Sequence, residues 1–194
     1  YLNMTVGCIS HDIQLLENNY NKISNKTLFF GDYVADKQRI CALDKQVIIH
    51  FFEHIRNNPS TSLDIKNVIH AAYIMGMYHL IPEALTLLEK THTKSAIIEQ
   101  ENFTLVKNII NKFTTQEESY IISNKALRFL SKEKMLIGGY SISVPPEQDS
   151  LFKTLAIKGT PACVYAIEDR WLEQCSKDTN SIESIFFEPW PAEG

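Results

Sequence analysis

The sequence predicts an α/β fold in which a small sheet carries a block of helices inserted between its strands. The first observation is a run rich in β-branched and aromatic residues at Thr27–Val34, which is typical of a buried strand. The second is the stretch 61–134, where apolar residues recur at helical spacing. The third is the change of pattern after residue 134, where strand, helix and strand are predicted to follow one another.

The helical part of the prediction begins after the first strand. Residues 1–26 form a polar N-terminal extension, and a helix from about Lys45 to Asn57 is indicated by apolar residues that recur on one face. Ser62 or Asp64 can cap a helix that runs through Met77. Further helices are predicted at 82–90, 98–112 and 116–134.

The last third of the chain changes to shorter elements. Met135–Val144 contains two glycines and then alternates polar and apolar residues, which predicts a strand that Pro145 and Pro146 end. The remaining predicted elements are, in order, a short helix at Glu147–Leu155, a turn that feeds a strand at Ile157–Tyr165, a helix at Trp171–Ser176 and a last strand at Ile185–Phe187.

Charge and hydropathy exclude two classes of partner. The net charge is −4 with a pI near 5.9, and no basic cluster appears, so we predict no nucleic-acid partner. No apolar run reaches the roughly 20 residues that span a bilayer, so we predict no transmembrane segment in this chain. The chain begins at Tyr1 without Met, from which we expect a trimmed or processed protein.

The cysteines do not form a recognisable motif. Cys8, Cys41, Cys163 and Cys175 show no C-x-x-C spacing, which argues against a zinc ribbon and against a standard dithiol site. Two disulfides and four free thiols are both open. No P-loop, G-x-G-x-x-G or G-x-S-x-G motif is present, and we predict no cofactor.

The segment Leu28–Arg39 resembles the active-site strand and helix start of DsbA-type, thioredoxin-fold thiol oxidoreductases. In that family an Asp-Tyr pair ends the first core strand, and a Cys-Pro-x-Cys motif followed by Arg or Lys opens the helix. Asp32, Tyr33 and Arg39 match this pattern. Both motif cysteines are replaced, because the four motif positions read Ala35, Asp36, Lys37 and Gln38.

A second match to the same family lies near the C-terminus. Gly159-Thr160-Pro161 resembles the family's Gly-Thr-Pro sequence, whose proline is cis and faces the motif helix. The resemblance implies a thioredoxin-like sheet with a helical insertion: a core formed by 27–60 and 135–190, and an insertion at 61–134. It also implies a binding groove formed by the degenerate motif, and its residues are Tyr33, Ala35, Asp36, Lys37, Gln38, Thr160 and Pro161.

The loss of both thiols favours a protein without enzymatic activity, because disulfide exchange needs an attacking thiolate and a resolving thiol. The resemblance implies a protein-binding or structural component of a bacterial envelope assembly, such as a secretion or conjugation system. It implies a periplasmic location and an unidentified protein partner. An enzymatic alternative stays open: a thiol-disulfide oxidoreductase or glutathione-transferase-like protein with an unusual site that uses Cys41, Cys163 or Cys175.

Two other resemblances are weighed against this one. Gly31-Asp32 and Ala71-Ala72, followed by Met77, resemble positions of a BTB interaction domain, which implies a cytoplasmic adaptor that dimerises. Trp171 and Cys175 are similar to the Trp-x-x-x-Cys of the last helix in phosphopeptide-binding BRCT domains. The BTB resemblance leaves the Gly-Thr-Pro segment unexplained, and the segment before Trp171 lacks the full strand order of a BRCT domain.

One metal-binding pattern occurs in the first long helix. His50-Phe51-Phe52-Glu53-His54 fits the H-x-x-E-H motif of inverted zinc proteases and puts both imidazoles on one helix face. The apolar residues between them define the buried face, so the histidines and Glu53 belong to the solvated face. We therefore predict no metal site, and His50 and His54 are the residues that would hold an adventitious ion.

Overall fold

The protein is mostly helical and carries a small three-stranded mixed sheet. The computed structural model describes residues 10–24, 29–57, 62–91, 96–101, 116–144, 151–175 and 183–190, together with residues 7, 26, 103, 104 and 107. This agrees with the predicted combination of helices and a sheet, whereas the thioredoxin-like arrangement stays a proposal.

The helices of the first two thirds follow one another closely. They are α1 (Ile13–Asn21), α2 (Phe30–Arg39), α3 (Lys45–Asn57), α4 (Ser62–Met75), a short 3-10 turn (Tyr78–Leu80), α5 (Ile81–Thr91) and α6 (Gln116–Lys132). Residues 96–101 are also helical. The predictions for α3, α4, α5 and α6 are confirmed, with α4 ending at Met75. Most of the helix predicted at 98–112 lies outside the described residues.

The sheet occupies the C-terminal third. Its elements are β1 (Ile137–Ser143), β2 (Leu151–Ile157), α7 (Pro161–Cys175) and β3 (Glu183–Pro189). β1 pairs antiparallel with β2, and β2 pairs parallel with β3 after the chain crosses over through α7. The predicted strands at 135–144 and 185–187 are therefore confirmed, and the helix predicted at 171–176 is the end of α7.

Two side chains of α7 make hydrogen bonds with the backbone of β3, which is an edge strand of the sheet. Trp171 donates its indole N–H to the Ile185 carbonyl at 2.8 Å, and Glu168 accepts the Phe187 backbone N–H at 3.1 Å. The Trp171 ring is buried against Phe129 and Phe187, with ring centroids 5.6 and 5.9 Å apart. Backbone groups that face outward on an edge strand are thus satisfied by the chain itself.

One hydrophobic core joins the helices to the sheet. Its members come from α2, α3, α4, α5 and α6 and from all three strands and α7. Ala71, Ala72 and Met75 of α4 lie at its centre without solvent exposure. The small alanine side chains let neighbouring helices approach α4 closely. The division into a core and an inserted helical unit stays a prediction.

The strand predicted at Thr27–Val34 is wrong, because α2 begins at Phe30. Tyr33 stacks on Tyr20 of α1 with ring centroids 4.1 Å apart, while Val34 enters the main core. Apolar residues three and four positions apart are compatible with a helix and, in a short apolar run, also with a buried strand. Here the contacts of Tyr33 and Val34 stabilise the helix. Thr27 and Leu28 lie outside the described residues.

The strand predicted to follow the turn within Ile157–Tyr165 is also wrong, since β2 ends at Ile157 and α7 begins at Pro161. Thr160 is the N-cap: its hydroxyl accepts the Cys163 N–H at 3.4 Å and its carbonyl accepts the Val164 N–H at 3.0 Å. Proline suits the first helical position because it lacks the N–H that would have no partner there. The helix predicted at 147–155 is likewise wrong where it is described, because residues 151–155 belong to β2.

Candidate functional site

The predicted groove residues lie on two separate elements. Tyr33, Asp36 and Lys37 are buried in α2, whereas Ala35 and Gln38 are half-buried. In the family that the sequence resembles, these positions lie at the end of a strand and at the start of the helix that follows it. The structure places them in the middle and the last turn of a helix that Phe29 precedes.

Lys37 is held in place by acidic and aromatic neighbours. Its ammonium lies 2.8 Å from a Glu17 carboxylate oxygen and 3.7 Å from one of Asp44, and 5.3 Å from the Tyr33 ring centre. Burial alone lowers the pKa of Lys37, but the hydrogen bonds to Glu17 and Tyr33 outweigh it, and its pKa lies above the ordinary value. Lys37 therefore stays protonated and joins α1, α2 and the start of α3.

The second half of the predicted groove is exposed at the start of α7. The peptide bond before Pro161 is trans, as is every peptide bond in the described part of the chain. The expected cis proline is therefore wrong. Across the described residues, no hydrogen bond, ion pair or ring contact links Tyr33 or Lys37 to Thr160 or Pro161. Tyr33 and Lys37 are brought together, but not with the Gly-Thr-Pro segment.

The histidines of the H-x-x-E-H pattern lie on the outer side of α3. His50 and Glu53 are exposed, and the His54 ring is half-buried with its centroid 5.9 Å from that of Phe30. Within the described ranges, no group of three or more His, Cys, Asp or Glu residues is arranged to hold a metal ion.

The three described cysteines lie in different environments and form no disulfide with one another, so the two-disulfide alternative, which needs at least one such pair, does not hold. Cys41 is buried, adopts a left-handed backbone with φ +58°, and donates its thiol to the Met135 carbonyl at 3.5 Å. Burial raises the pKa of Cys41 far above that of an ordinary thiol, so almost no thiolate forms at neutral pH. Cys163 is exposed in the first turn of α7, Cys175 is half-buried at its end, and Cys8 lies outside the described residues.

A polar cluster that the sequence analysis missed lies between the sheet and the helices. Lys153 of β2 is completely buried, and its ammonium lies 2.5 Å from Glu183 of β3. It also donates to the Ser123 hydroxyl at 2.8 Å and approaches the Ile74 carbonyl at 3.4 Å. Tyr78 donates its hydroxyl to the same Glu183 oxygen at 3.2 Å, and its ring lies 5.4 Å from the ammonium. We call Tyr78, Ser123, Lys153 and Glu183 the buried charge cluster.

The buried charge cluster is a closed structural junction. Burial lowers the pKa of Lys153 and the Glu183 carboxylate opposes that shift, while burial raises the pKa of Tyr78. None of the four side chains is exposed, so a substrate would have to displace the core to reach them. The sequence carries a signal for Lys153, because it is the one charged residue in a strand whose other residues are apolar or threonine. No sequence feature near Lys153 indicates that Glu183 is its partner.

Comparison with known proteins adds no family: no protein-family model, no curated protein and no solved structure matches the chain. Among the described residues, no helix combines the length and the apolarity that crossing a membrane requires.

Proposed function

We propose that this chain is a non-catalytic protein-interaction module. The observation that carries the proposal is a pair of adjacent isoleucines, Ile97 and Ile98, that are 54% and 60% exposed. They lie beside an open groove of about 390 Å³ whose lining residues are Leu85, Glu89, Ala96, Ile97, Gln100 and Glu101. Adjacent large apolar side chains beside a groove with a polar rim are typical of a surface that a partner covers.

The polar groups support a binding role over a chemical one. The Cys41 thiol has a raised pKa, Lys37 is paired with two carboxylates, and the Lys153–Glu183 pair is enclosed. An attacking or proton-transferring group has to reach a substrate with the required protonation state. The buried Cys41 thiol lacks the required protonation state, and the paired ammonium of Lys37 and the enclosed ammonium of Lys153 do not reach a substrate.

Two forms of the proposal differ in family. In the first, the chain is a DsbA-like, periplasmic component of a bacterial envelope assembly; a mixed sheet after a helical block supports it. In the second, the chain is a cytoplasmic BTB-type adaptor. The helix at Phe30–Arg39 and the trans bond before Pro161 favour the second form, since the first relies on a strand and a cis proline there.

The absence of thiol chemistry is the first testable prediction. We expect the wild-type chain to reduce insulin disulfides no faster than a variant in which all four cysteines are serine. The buried Cys41 thiol yields almost no thiolate, and Cys163 and Cys175 lie at opposite ends of α7, so neither can act as the resolving thiol of the other. The measurement is an insulin-turbidity assay with dithiothreitol, at matched protein concentration and with far-UV circular dichroism to verify folding. A wild-type rate clearly above that of the cysteine-free variant contradicts both forms of the proposal and restores the enzymatic alternative.

Self-association separates the two forms. For the BTB-type form we expect a dimer in sedimentation equilibrium at micromolar concentration. Because the proposal places Ile97 and Ile98 under the partner, Ile97→Ser/Ile98→Ser should raise the dissociation constant at least about tenfold. The matched control is Leu63→Ser, which removes another exposed apolar side chain from α4. A monomer at every concentration rules out the BTB-type form and leaves the DsbA-like form.

A further inference from the structure

A stripe of four side chains runs along the exposed face of α6. Ile121, Lys125, Arg128 and Lys132 are spaced by four, three and four residues, which puts them on one side of a helix. All four line an open cleft of about 440 Å³ between α6 and the end of α7. The other lining residues are Asn124, Phe129 and Gln174. We call this region the α6 cleft.

The arginine of the α6 cleft differs from the other three arginines of the chain in its ion pairing. Arg39, Arg56 and Arg170 each lie within ion-pair distance of a carboxylate, those of Asp36 (3.6 Å), Glu83 (2.7 Å) and Glu133 (2.9 Å). Arg128 is exposed and has no carboxylate partner among the described residues, and the same holds for Lys132. The chain as a whole carries a net charge of −4, so Arg128 and Lys132 together form a local site of positive charge on an acidic protein.

The α6 cleft also has an apolar end. Ile121 is 56% exposed at the start of the stripe, and the buried ring of Phe129 contributes to the lining. From residue 121 to residue 132 the helix rises about 16 Å. That length fits about five residues of an extended segment, or about three turns of a helix. A ligand that uses the whole stripe therefore has an apolar anchor at one end and negative charge along the rest.

We propose that the α6 cleft binds an acidic segment of a partner protein, with carboxylates on Arg128 and Lys132 and an apolar side chain on Ile121. The proposal rests on the proposed function, since the partner is a protein, but it concerns a surface other than the Ile97–Ile98 groove. The planar guanidinium of Arg128 can take a carboxylate with two hydrogen bonds. Exposed ion pairs are individually weak and are screened by salt, so we expect micromolar binding that depends on ionic strength.

The test is a peptide titration. The probe is a fluorescein-labelled peptide of about three helical turns that repeats Glu-Asp-Leu-Glu, and its matched peptide repeats Gln-Asn-Leu-Gln. We expect the fluorescence anisotropy to rise for the acidic peptide at low salt, to fall at high salt and to stay flat for the neutral peptide. Arg128→Glu/Lys132→Glu should weaken binding at least about tenfold, and Arg128→Gln/Lys132→Gln should weaken it less. Far-UV circular dichroism establishes that each variant is folded.

The double variant Lys90→Glu/Lys158→Glu is the control for the effect of net charge on peptide binding. It makes the same change of net charge at two exposed lysines outside the α6 cleft. Equal loss of binding in this control overturns the proposal, because a diffuse field would then explain the binding. No binding by the wild type, equal binding of the neutral peptide, or tighter binding of a single-stranded oligonucleotide of the same charge also overturns it. The titration needs neither self-association nor thiol activity, so failure of the α6 cleft is distinguishable from failure of the proposed function.

Discussion

Replacing Lys153 with methionine is expected to lower the free energy of unfolding by about 3–5 kcal/mol. The substitution keeps an unbranched side chain that is one atom shorter but removes the charge, and Glu183 then stays buried without its cationic partner. Tyr78 and Ser123 still contact Glu183, yet neutral hydroxyls do not replace an ammonium. The measurement is urea unfolding followed by circular dichroism, with the slope m compared between variants.

The double variant Lys153→Met/Glu183→Leu is the control for this prediction. It removes both charges and fills the space with apolar atoms, so most of the lost stability should return. If the double variant is as unstable as Lys153→Met, packing of the lysine stem, and not the unpaired carboxylate, accounts for the loss. A change below about 1 kcal/mol for Lys153→Met contradicts the assignment of this pair as the junction between sheet and helices.

Replacing Gly76 with alanine is expected to cost about 2–4 kcal/mol. Gly76 ends α4 in a left-handed conformation with φ +67°, and its neighbour Met77 donates its backbone N–H to the Ala72 carbonyl at 2.8 Å. This arrangement is a glycine helix cap, which an L-residue adopts only with strain. A methyl group here would in addition overlap the backbone of Ser119 in α6. Backbone atoms cannot move aside as a flexible side chain can.

Gly139→Ala is the matched control for Gly76→Ala, because no heavy atom lies within 4 Å of the added carbon. We expect its midpoint of urea unfolding to change little, while that of Gly76→Ala falls clearly. Equal midpoints for the two variants contradict the claim that α4 and α6 are in contact at Gly76. Native-state hydrogen exchange locates the effect, since the loss should appear at the end of α4.

The sequence predicted elements well where one local pattern had one interpretation. α3 was predicted with both ends correct, because its apolar residues recur at a period that no strand shares. α5 was also predicted closely, since Pro82 is typical of a first helical turn. β1 was recognised from the alternation after its glycines.

The prediction was wrong where a short pattern fitted two periods. Phe30, Tyr33 and Val34 suit a strand or a helix, and only the packing on Tyr20 and on the core decides between them. Thr160 and Pro161 carry a helix-start signal, but the apolar residues around them were interpreted as a turn before a strand. Among the candidate site residues, Lys37 was named for its position in a motif, and its actual partners come from α1 and the start of α3.

The buried charge cluster and the α6 cleft are two features that could not be predicted from the sequence alone. Lys153 and Glu183 meet because parallel pairing of β2 and β3 brings them together, and the register of a parallel sheet has no local signature. Along α6, the spacing of Arg128 and Lys132 is visible in the sequence, but a charged helix face is ordinarily solvated. Only the neighbouring end of α7 turns that face into a cleft.

The buried charge cluster has a consequence for the synthesis of the protein on the ribosome. Tyr78 and Glu183 are 105 residues apart, and Ile74 and Lys153 are 79 residues apart. While the chain grows, the hydroxyls of Tyr78 and Ser123 are already made, but the carboxylate they bind arrives only with β3. The parts of α4 and α6 that pack on the sheet therefore stay uncovered until β2 and β3 have been made, and closing so long a loop is slow. Nascent chains that stop before Glu183 should be chaperone substrates, and the core should complete its folding only after β3 has emerged from the ribosome.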